Sequence, residues 1–314
     1  MMSERPWSIQ IELAEGCSRL CSFCGLNGIR DKPGNYKFIS PMLMEKLAAD
    51  CANFIPTARY ELAMHGEPTM HPKYLEMIKI LRKYVPKAQI QLTTNGVKLR
   101  KKGAFTSEVT KIFKAGIDFI ILDTYYPERD QLREAAFNCD SPSIKVVDFY
   151  DDLVPNGVSV YHNHRRKLRN TVILMDDIGA RDGEVKSRTI MNHAGSNPEA
   201  PPVLNPLEKT CTNPFREVSV CWNGNVNICC MDWKHEQVLG NVKENTLEEI
   251  WFSAKFEAAR TALQNKDRRF DPCSKCNKNS GVRAGLLPKY PPLTDEQKEM
   301  IGWQEKRRSL SIMS

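Results

Sequence analysis

Residues 7–13, Trp-Ser-Ile-Gln-Ile-Glu-Leu, alternate polar and apolar side chains with the two-residue period of a strand. The same pattern predicts strands at Tyr60–Met64, Gln89–Thr93 and Asp118–Asp123. Between them the period lengthens. Leu43, Leu47, Cys51 and Phe54 share one face of a helix over 40–54, with Ser40 placed to cap it and Pro41 at its first position. Further helices are expected from about Lys73 to Tyr84 and through Val109–Ala115. Strand, loop and helix thus recur at least four times, which predicts parallel βαβ units. Each strand ends in a polar or glycine-bearing loop, so the loops are expected to share one functional rim. The fold class expected is α/β, a partial (β/α)6 TIM-like barrel. Beyond residue 130 the pattern blurs, and 158–163 and 170–176 are the expected further strands. Ala194–Pro206, rich in Pro, Asn, Gly and Ser, reads as a linker. The expected division is a barrel at 1–205, a smaller module at 206–288 and a polar tail at 289–314 to which no chemistry is assigned.

Composition narrows this little. A chain of 314 residues with 41% hydrophobic and 26% charged content is ordinary for a globular protein. No apolar run approaches the ~20 residues that span a bilayer, and Met1 to Trp7 lack a signal-peptide core. A cytoplasmic, reducing setting is expected, in which cysteines read as metal ligands before disulfides. The net charge of +7 tolerates an anionic partner without demanding one. The short basic runs at 164–167 and 306–308 read as a solvated face and a tail. The cysteines change the picture more. Nine of the eleven fall in two groups, at 17–24 and 211–276, leaving Cys51 and Cys139 as expected buried thiols.

The first group is Cys17-Ser-Arg-Leu-Cys21-Ser-Phe-Cys24, directly after the first strand. Thiolates at this spacing wrap one soft metal centre from a single short loop. Structural zinc takes four protein ligands, so a zinc site here would need a fourth from elsewhere, Cys51 or His65. A four-iron cluster held by three thiolates keeps one iron open. Two strand ends add candidates. His65-Gly66-Glu67-Pro68 puts a glycine where backbone can come close to a ligand, beside a carboxylate and carbonyls able to accept from an ammonium group. Thr94-Asn95-Gly96 follows the third strand, although Asn-Gly is also simply a good turn.

The Cys17-x3-Cys21-x-Phe23-Cys24 motif resembles the signature of the radical SAM superfamily, including the aromatic residue before the third cysteine. The resemblance implies that Cys17, Cys21 and Cys24 hold a 4Fe-4S cluster whose open iron is chelated by S-adenosyl-L-methionine. One electron then cleaves the sulfonium, and the 5′-deoxyadenosyl radical takes a hydrogen atom from the substrate. It also implies that Gly66, Glu67 and Pro68 grip the methionine amino group, that Asp123 reaches the ribose and that Phe23 lies near the adenine, with Asn95 in the third-strand motif. Tyr125 and Tyr126 are candidates to line the substrate pocket. A flavodoxin or ferredoxin is implied as reductant. The substrate expected is a peptide, by frequency in the family, with a nucleotide or nucleobase as the alternative.

The second group comprises Cys211, Cys221, Cys229, Cys230, Cys273 and Cys276. Asn223-Gly224 signals a hairpin that would carry Cys229 on its returning strand and turn Cys230 to the opposite face. Four thiolates suit zinc or a complete four-iron cluster, which sequence chemistry barely separates. The arrangement resembles the SPASM/twitch extension of radical SAM enzymes, as does the run from Leu239-Gly-Asn-Val242 through Leu247-Glu-Glu-Ile-Trp251. This implies a small C-terminal iron–sulfur domain holding an auxiliary 4Fe-4S cluster on Cys211, Cys229, Cys273 and Cys276, with Cys221 in reserve. No cysteine follows Cys276, which favours one auxiliary cluster over two. His71, His162, His164, His193 and His235 are isolated in sequence and read as structural or exposed, and His65 as a neighbour of the cofactor motif. The alternative of another class is a non-catalytic protein with two zinc sites.

Overall fold

The computed structural model describes residues 5–29, 34–101, 103–125, 127–153, 167–176, 191–278 and 291–305. The strands in chain order are β1 (Ser8–Ile11), β2 (Ala14–Glu15), β3 (Lys37–Phe38), β4 (Arg59–Leu62), β5 (Gln89–Thr94), β6 (Phe119–Thr124), β7 (Lys145–Asp148), β8 (Thr171–Asp176), β9 (Glu217–Val220), β10 (Asn225–Asn227) and β11 (Val238–Asn241). Nine of them form one sheet in the order β11-β10-β9-β1-β4-β5-β6-β8-β7, and β2 and β3 form a small antiparallel pair. From β9 to β7 every pairing is parallel. The central strands carry near-continuous apolar runs, as strands covered on both faces do. Ile90, Leu92, Ile120, Leu122, Val172 and Leu174 are all buried in one core.

The helices form where the spacing predicts. Helix α1 (Pro41–Phe54) starts on Ser40, whose hydroxyl accepts from Leu43 N, and it buries Leu43, Leu47, Cys51 and Phe54. Helices α2 (Tyr74–Tyr84) and α3 (Phe105–Ala115) bury Met77, Ile78 and Leu81, and Val109 and Ile112, at the same three-to-four-residue spacing. Helix α4 (Arg129–Phe137) has only Leu132 and Ala136 buried, so it shows almost no apolar stripe. It is held by charge: Arg129 and Arg133 bond Asp176 at the end of β8 (2.9 and 2.8 Å), and Arg133 also bonds Asp148 on β7 (2.8 Å).

Four details differ from the sequence reading. The expected strand at 170–176 is β8, but it sits between β6 and the earlier β7, so β7 is the outer edge of the sheet. The four-residue β7 was not anticipated, while the segment expected at 158–163 lies outside the described residues. The returning hairpin strand β10 ends at Asn227, which leaves Cys229 and Cys230 in the bend beyond it. The fourth concerns the expected division after residue 205, which runs through a continuous sheet. β9 pairs in parallel with β1 from Ser8↔Glu217 to Ile11↔Val220, flanked by bonds from Trp7 N to Arg216 O (2.8 Å) and Glu12 N to Val220 O (2.9 Å). The C-terminal module therefore closes the free edge of the first strand. Helices α5 (Leu247–Trp251) and α6 (Ala254–Gln264) cover it, and within the described part of the tail α7 (Asp295–Met300) packs on α6.

Candidate active site and auxiliary thiol cluster

The cysteine loop is fixed by backbone. Gly16 has φ +115°, and it bridges Gly66 at the end of β4: Gly16 N donates to His65 O at 3.4 Å and Glu67 N to Gly16 O at 2.9 Å. A Cβ on Gly66 would stand 2.3 Å from Ala14 O and 2.5 Å from Gly16 O. The glycine is thus required by the approach of two protein backbones, where the sequence suggested a ligand's approach. Past the turn, Cys24 N donates to Cys21 O (3.1 Å), and Asn27 Nδ2 donates to the carbonyls of Cys21 (2.8 Å) and Ser22 (2.9 Å). These bonds fold the C-x3-C-x2-C run tightly and leave all three thiols half-buried at the rim.

Cys17, Cys21 and Cys24 line one cavity together with Phe23, Gly66, Glu67, Asn95 and Asp123. Pro68 is not part of the lining and instead starts a buried turn, Pro68–Met70. Glu67 is buried and heavily used. Its Oε1 accepts from Thr69 N (3.0 Å), Thr69 Oγ1 (2.5 Å) and Thr94 Oγ1 (2.7 Å), and its Oε2 accepts from Asn95 N (2.7 Å). The carboxylate therefore locks the ends of β4 and β5 together. Burial pushes its pKa up, against the pull of those bonds. Asn95 Nδ2 in turn donates to Cys17 Sγ at 3.1 Å. Burial also raises the Cys17 thiol to about 11, and nearby Glu67 and the other two thiols add to the shift. Such a site stabilises thiolates only when a cation or cluster binds them.

Two aromatic residues complete the cavity, Trp233, which no motif announced, and Tyr125, a candidate from the sequence. Trp233, beyond β10, lines it from the C-terminal module, and its buried Nε1–H has no hydrogen-bond partner among the described residues. Tyr125 stands 6.0 Å from Phe23 between ring centroids and lies under the Arg19 guanidinium. Arg19 and Arg100 each bond Glu128 at 2.8 Å on the outer rim. Tyr126 lies outside the described residues.

The second group of cysteines assembles as a buried set. Cys211, Cys229, Cys273 and Cys276 are all buried and in no disulfide. Burial pushes the thiols of Cys229, Cys273 and Cys276 up, and each is raised further by its neighbours in the set. Buried Arg268 staples the two halves, donating to Lys209 O (2.9 Å), Thr210 O (3.0 Å) and Lys278 O (3.0 Å). Cys230 faces elsewhere, its thiol 3.7 Å from Glu217 Oε1. Four buried thiols suit a metal cluster, which supplies the positive charge their thiolates need.

The profile of the Radical SAM superfamily matches residues 11–161, and that of SPASM, an iron-sulfur cluster-binding domain, matches residues 211–277. The chain belongs to the radical SAM superfamily. As a radical SAM enzyme it uses a 4Fe-4S cluster and S-adenosyl-L-methionine, and its SPASM domain carries auxiliary iron–sulfur chemistry. Over 273 residues it is 22% identical to the S-adenosyl-L-methionine-dependent 2-deoxy-scyllo-inosamine dehydrogenase of Niallia circulans, covering 86% of this chain and 92% of that protein. A shorter match, 26% over 93 residues, is to the GTP 3′,8-cyclase of Haemophilus ducreyi and covers 27% of that protein. Among solved structures, BtrN in complex with AdoMet and 2-DOIA matches with a TM-score of 0.65 at 20% identity, covering 90% of this chain and 99% of that one. BtrN in an open conformation gives 0.57 at 18% identity, covering 88% and 94%. At such identities the structures establish the shared fold. Among the described residues no helix is long and apolar enough to cross a membrane.

Proposed function

We propose that this radical SAM enzyme dehydrogenates a small polar substrate at a C–H bond held over the Cys17–Cys24 loop. The observation that carries the reading is the pairing of two unlike thiol sets. Three half-buried thiols share a cavity with Glu67, Asn95 and Asp123, while Cys211, Cys229, Cys273 and Cys276 are four buried thiols of the C-terminal module. When bound, the cluster and S-adenosyl-L-methionine would supply hydrogen-atom abstraction and a second cluster a one-electron acceptor; with a proton released to solvent, these together make a two-electron oxidation that removes two hydrogens.

The protein's own residues do the rest. Cys17, Cys21 and Cys24 hold the first cluster, and Cys211, Cys229, Cys273 and Cys276 hold the auxiliary one. Gly66 and Glu67, which line the cavity, would receive the methionine amino group, with the Glu67 carboxylate keeping the segment rigid and Pro68 starting the turn behind it. Asp123 faces the ribose, and Phe23 and Tyr125 flank the adenine. Trp233 Nε1–H offers a donor to whatever occupies the cavity. The charged rim of Arg19, Arg100 and Glu128 suits a polar substrate, and the curated relative spanning most of this chain is a dehydrogenase by name. An external reductant, a flavodoxin or ferredoxin, delivers the electron that starts each turnover.

The test is anaerobic turnover with pooled amino alcohols and polyols, peptides, and nucleotides, followed by mass spectrometry. A small-molecule product lighter by two hydrogens, formed with 5′-deoxyadenosine, supports the reading. A modified peptide would restore the substrate expected from sequence, and a modified nucleotide would support the alternative. Either overturns the small-molecule proposal.

A further inference from the structure

Outside both thiol sets, three ligating side chains meet at the seam between the barrel and the C-terminal hairpin. His65 lies at the end of β4, Cys221 follows β9, and His235 sits in the loop between β10 and β11. One ligand atom from each lies within 4.8 Å of the others. We propose that His65, Cys221 and His235 form a further metal site, for a single zinc-class divalent ion whose fourth position is taken by water.

The first argument is the set of donors. Two imidazoles and a thiolate suit zinc, and a tetrahedral ion with Zn–S of about 2.3 Å and Zn–N of about 2.0–2.1 Å sets neighbouring ligand atoms about 3.5 Å apart. Cys221 Sγ and His235 Nδ1 are 3.4 Å apart. The groups that act most on the Cys221 thiol are the carboxylates of Glu12, Asp232 and Glu15, whereas Cys211 and Cys276 act on both Cys229 and Cys273.

The second argument is how the histidines are held. A metal-bound histidine generally gives its other ring N–H to a carboxylate or a backbone carbonyl. His235 Nε2 is 2.8 Å from Glu15 Oε2, and His65 Nε2 is 3.2 Å from Cys230 O. Both contacts assign the proton to Nε2 and leave Nδ1 as the lone pair. For His65 that Nδ1 is fully buried and makes no hydrogen bond among the described residues; it stands 3.2 Å from Glu12 Oε1, out of line for an N–H bond. For His235 the Nδ1 accepts from Asn227 Nδ2 at 2.8 Å, a bond the ion would replace, and Asn227 keeps its bond to Asp232 O at 3.0 Å.

The third argument is charge. Glu12 is 0% exposed; besides His65 Nδ1, its carboxylate meets two backbone N–H groups, those of His65 (3.2 Å) and Trp222 (3.1 Å). Glu15, also buried, lies 2.8 Å from His235 Nε2 and 2.6 Å from Lys37 Nζ. A carboxylate buried as completely as that of Glu12 calls for a nearby cation. A dication on His65, Cys221 and His235 supplies it. The ion would pin Glu12 and Glu15, which lead into the Cys17 loop, to the hairpin that leads into Cys229.

The experiment uses the full chain with its clusters reconstituted anaerobically, then freed of loosely held metal by chelator and desalting. Element analysis is expected to find one zinc per chain besides the cluster iron. Cys221→Ser and His235→Gln should each lose that zinc while iron content and cluster spectra stay unchanged. As a check that needs no variant, cobalt titrated into the cluster-loaded wild-type chain should give a thiolate-to-cobalt charge-transfer band and tetrahedral d–d bands, saturating at one equivalent. The proposal is overturned if zinc persists in both variants. It is equally overturned if zinc leaves once the clusters are loaded, or if cobalt gives no thiolate band. Because the readout is metal content, its failure leaves the dehydrogenase reading standing.

Discussion

Asn95 links the third strand end to the sulfur of the first cysteine. A hydrogen bond to a cluster thiolate favours the reduced, more negative state and so raises the reduction potential. Asn95→Leu keeps the size and removes the donor. We expect the midpoint potential of the first cluster to fall by about 40 mV, the one-electron equivalent of a hydrogen bond worth about 1 kcal/mol. Redox titration followed by electron paramagnetic resonance measures it, and an unchanged potential would mean the contact does not survive cluster binding. The Cys17 thiol makes a second test at this scale. Burial lifts it from the ordinary 9.0 to about 11, so near pH 8 its thiolate fraction is about a hundredfold lower. In the apo chain, iodoacetamide should label Cys17 about a hundredfold more slowly than free cysteine, as read by peptide mapping. Equal rates would show the thiol to be unperturbed.

Among the elements, the junction of β1 and β4 governs the loop that carries the cysteines. Gly66→Ala forces a methyl group into backbone atoms 2.3–2.7 Å away. An overpacking cost of about 1–3 kcal/mol is expected. It should appear as a lower melting temperature together with lost iron at the first cluster, and a fully loaded, equally stable variant would contradict it. This level also explains what the sequence could and could not reveal. Strands β1, β4, β5 and β6 and helices α1 to α3 were legible because burial writes a period into their residues. Helix α4 and strand β7 were not, since α4 docks through Arg129 and Arg133 on Asp176 and Asp148, and charged contacts leave no apolar period. The cysteine spacings put nine thiols in two groups along the chain, and the structure shows Cys17, Cys21 and Cys24 lining one cavity. Trp233 and the meeting of His65 with Cys221 and His235 went unforeseen, because each joins residues far apart in the chain and no local motif records such contacts.

For the whole molecule, the barrel and the iron–sulfur module share one sheet, and the C-terminal residue Trp233 reaches into the cavity of the N-terminal cysteines. Arg268 holds the module closed around its thiols from a buried position. Arg268→Ala would leave the carbonyls of Lys209, Thr210 and Lys278 without that donor. A loss of about 2–4 kcal/mol is expected, with auxiliary iron lost before iron at the Cys17 loop. Equal loss from both sites would argue against separate roles for the two thiol sets.

The central claim is that the two cysteine sets hold two clusters with different duties. The most direct test is iron counting and dithionite-driven cleavage of S-adenosyl-L-methionine, comparing the anaerobically reconstituted wild type with a Cys17/Cys21/Cys24 triple alanine variant. The account predicts about eight irons per wild-type chain, as two four-iron clusters require, and formation of 5′-deoxyadenosine. The variant should keep about four irons and form none. A wild type that takes up only zinc, or a variant that still cleaves S-adenosyl-L-methionine, would contradict it.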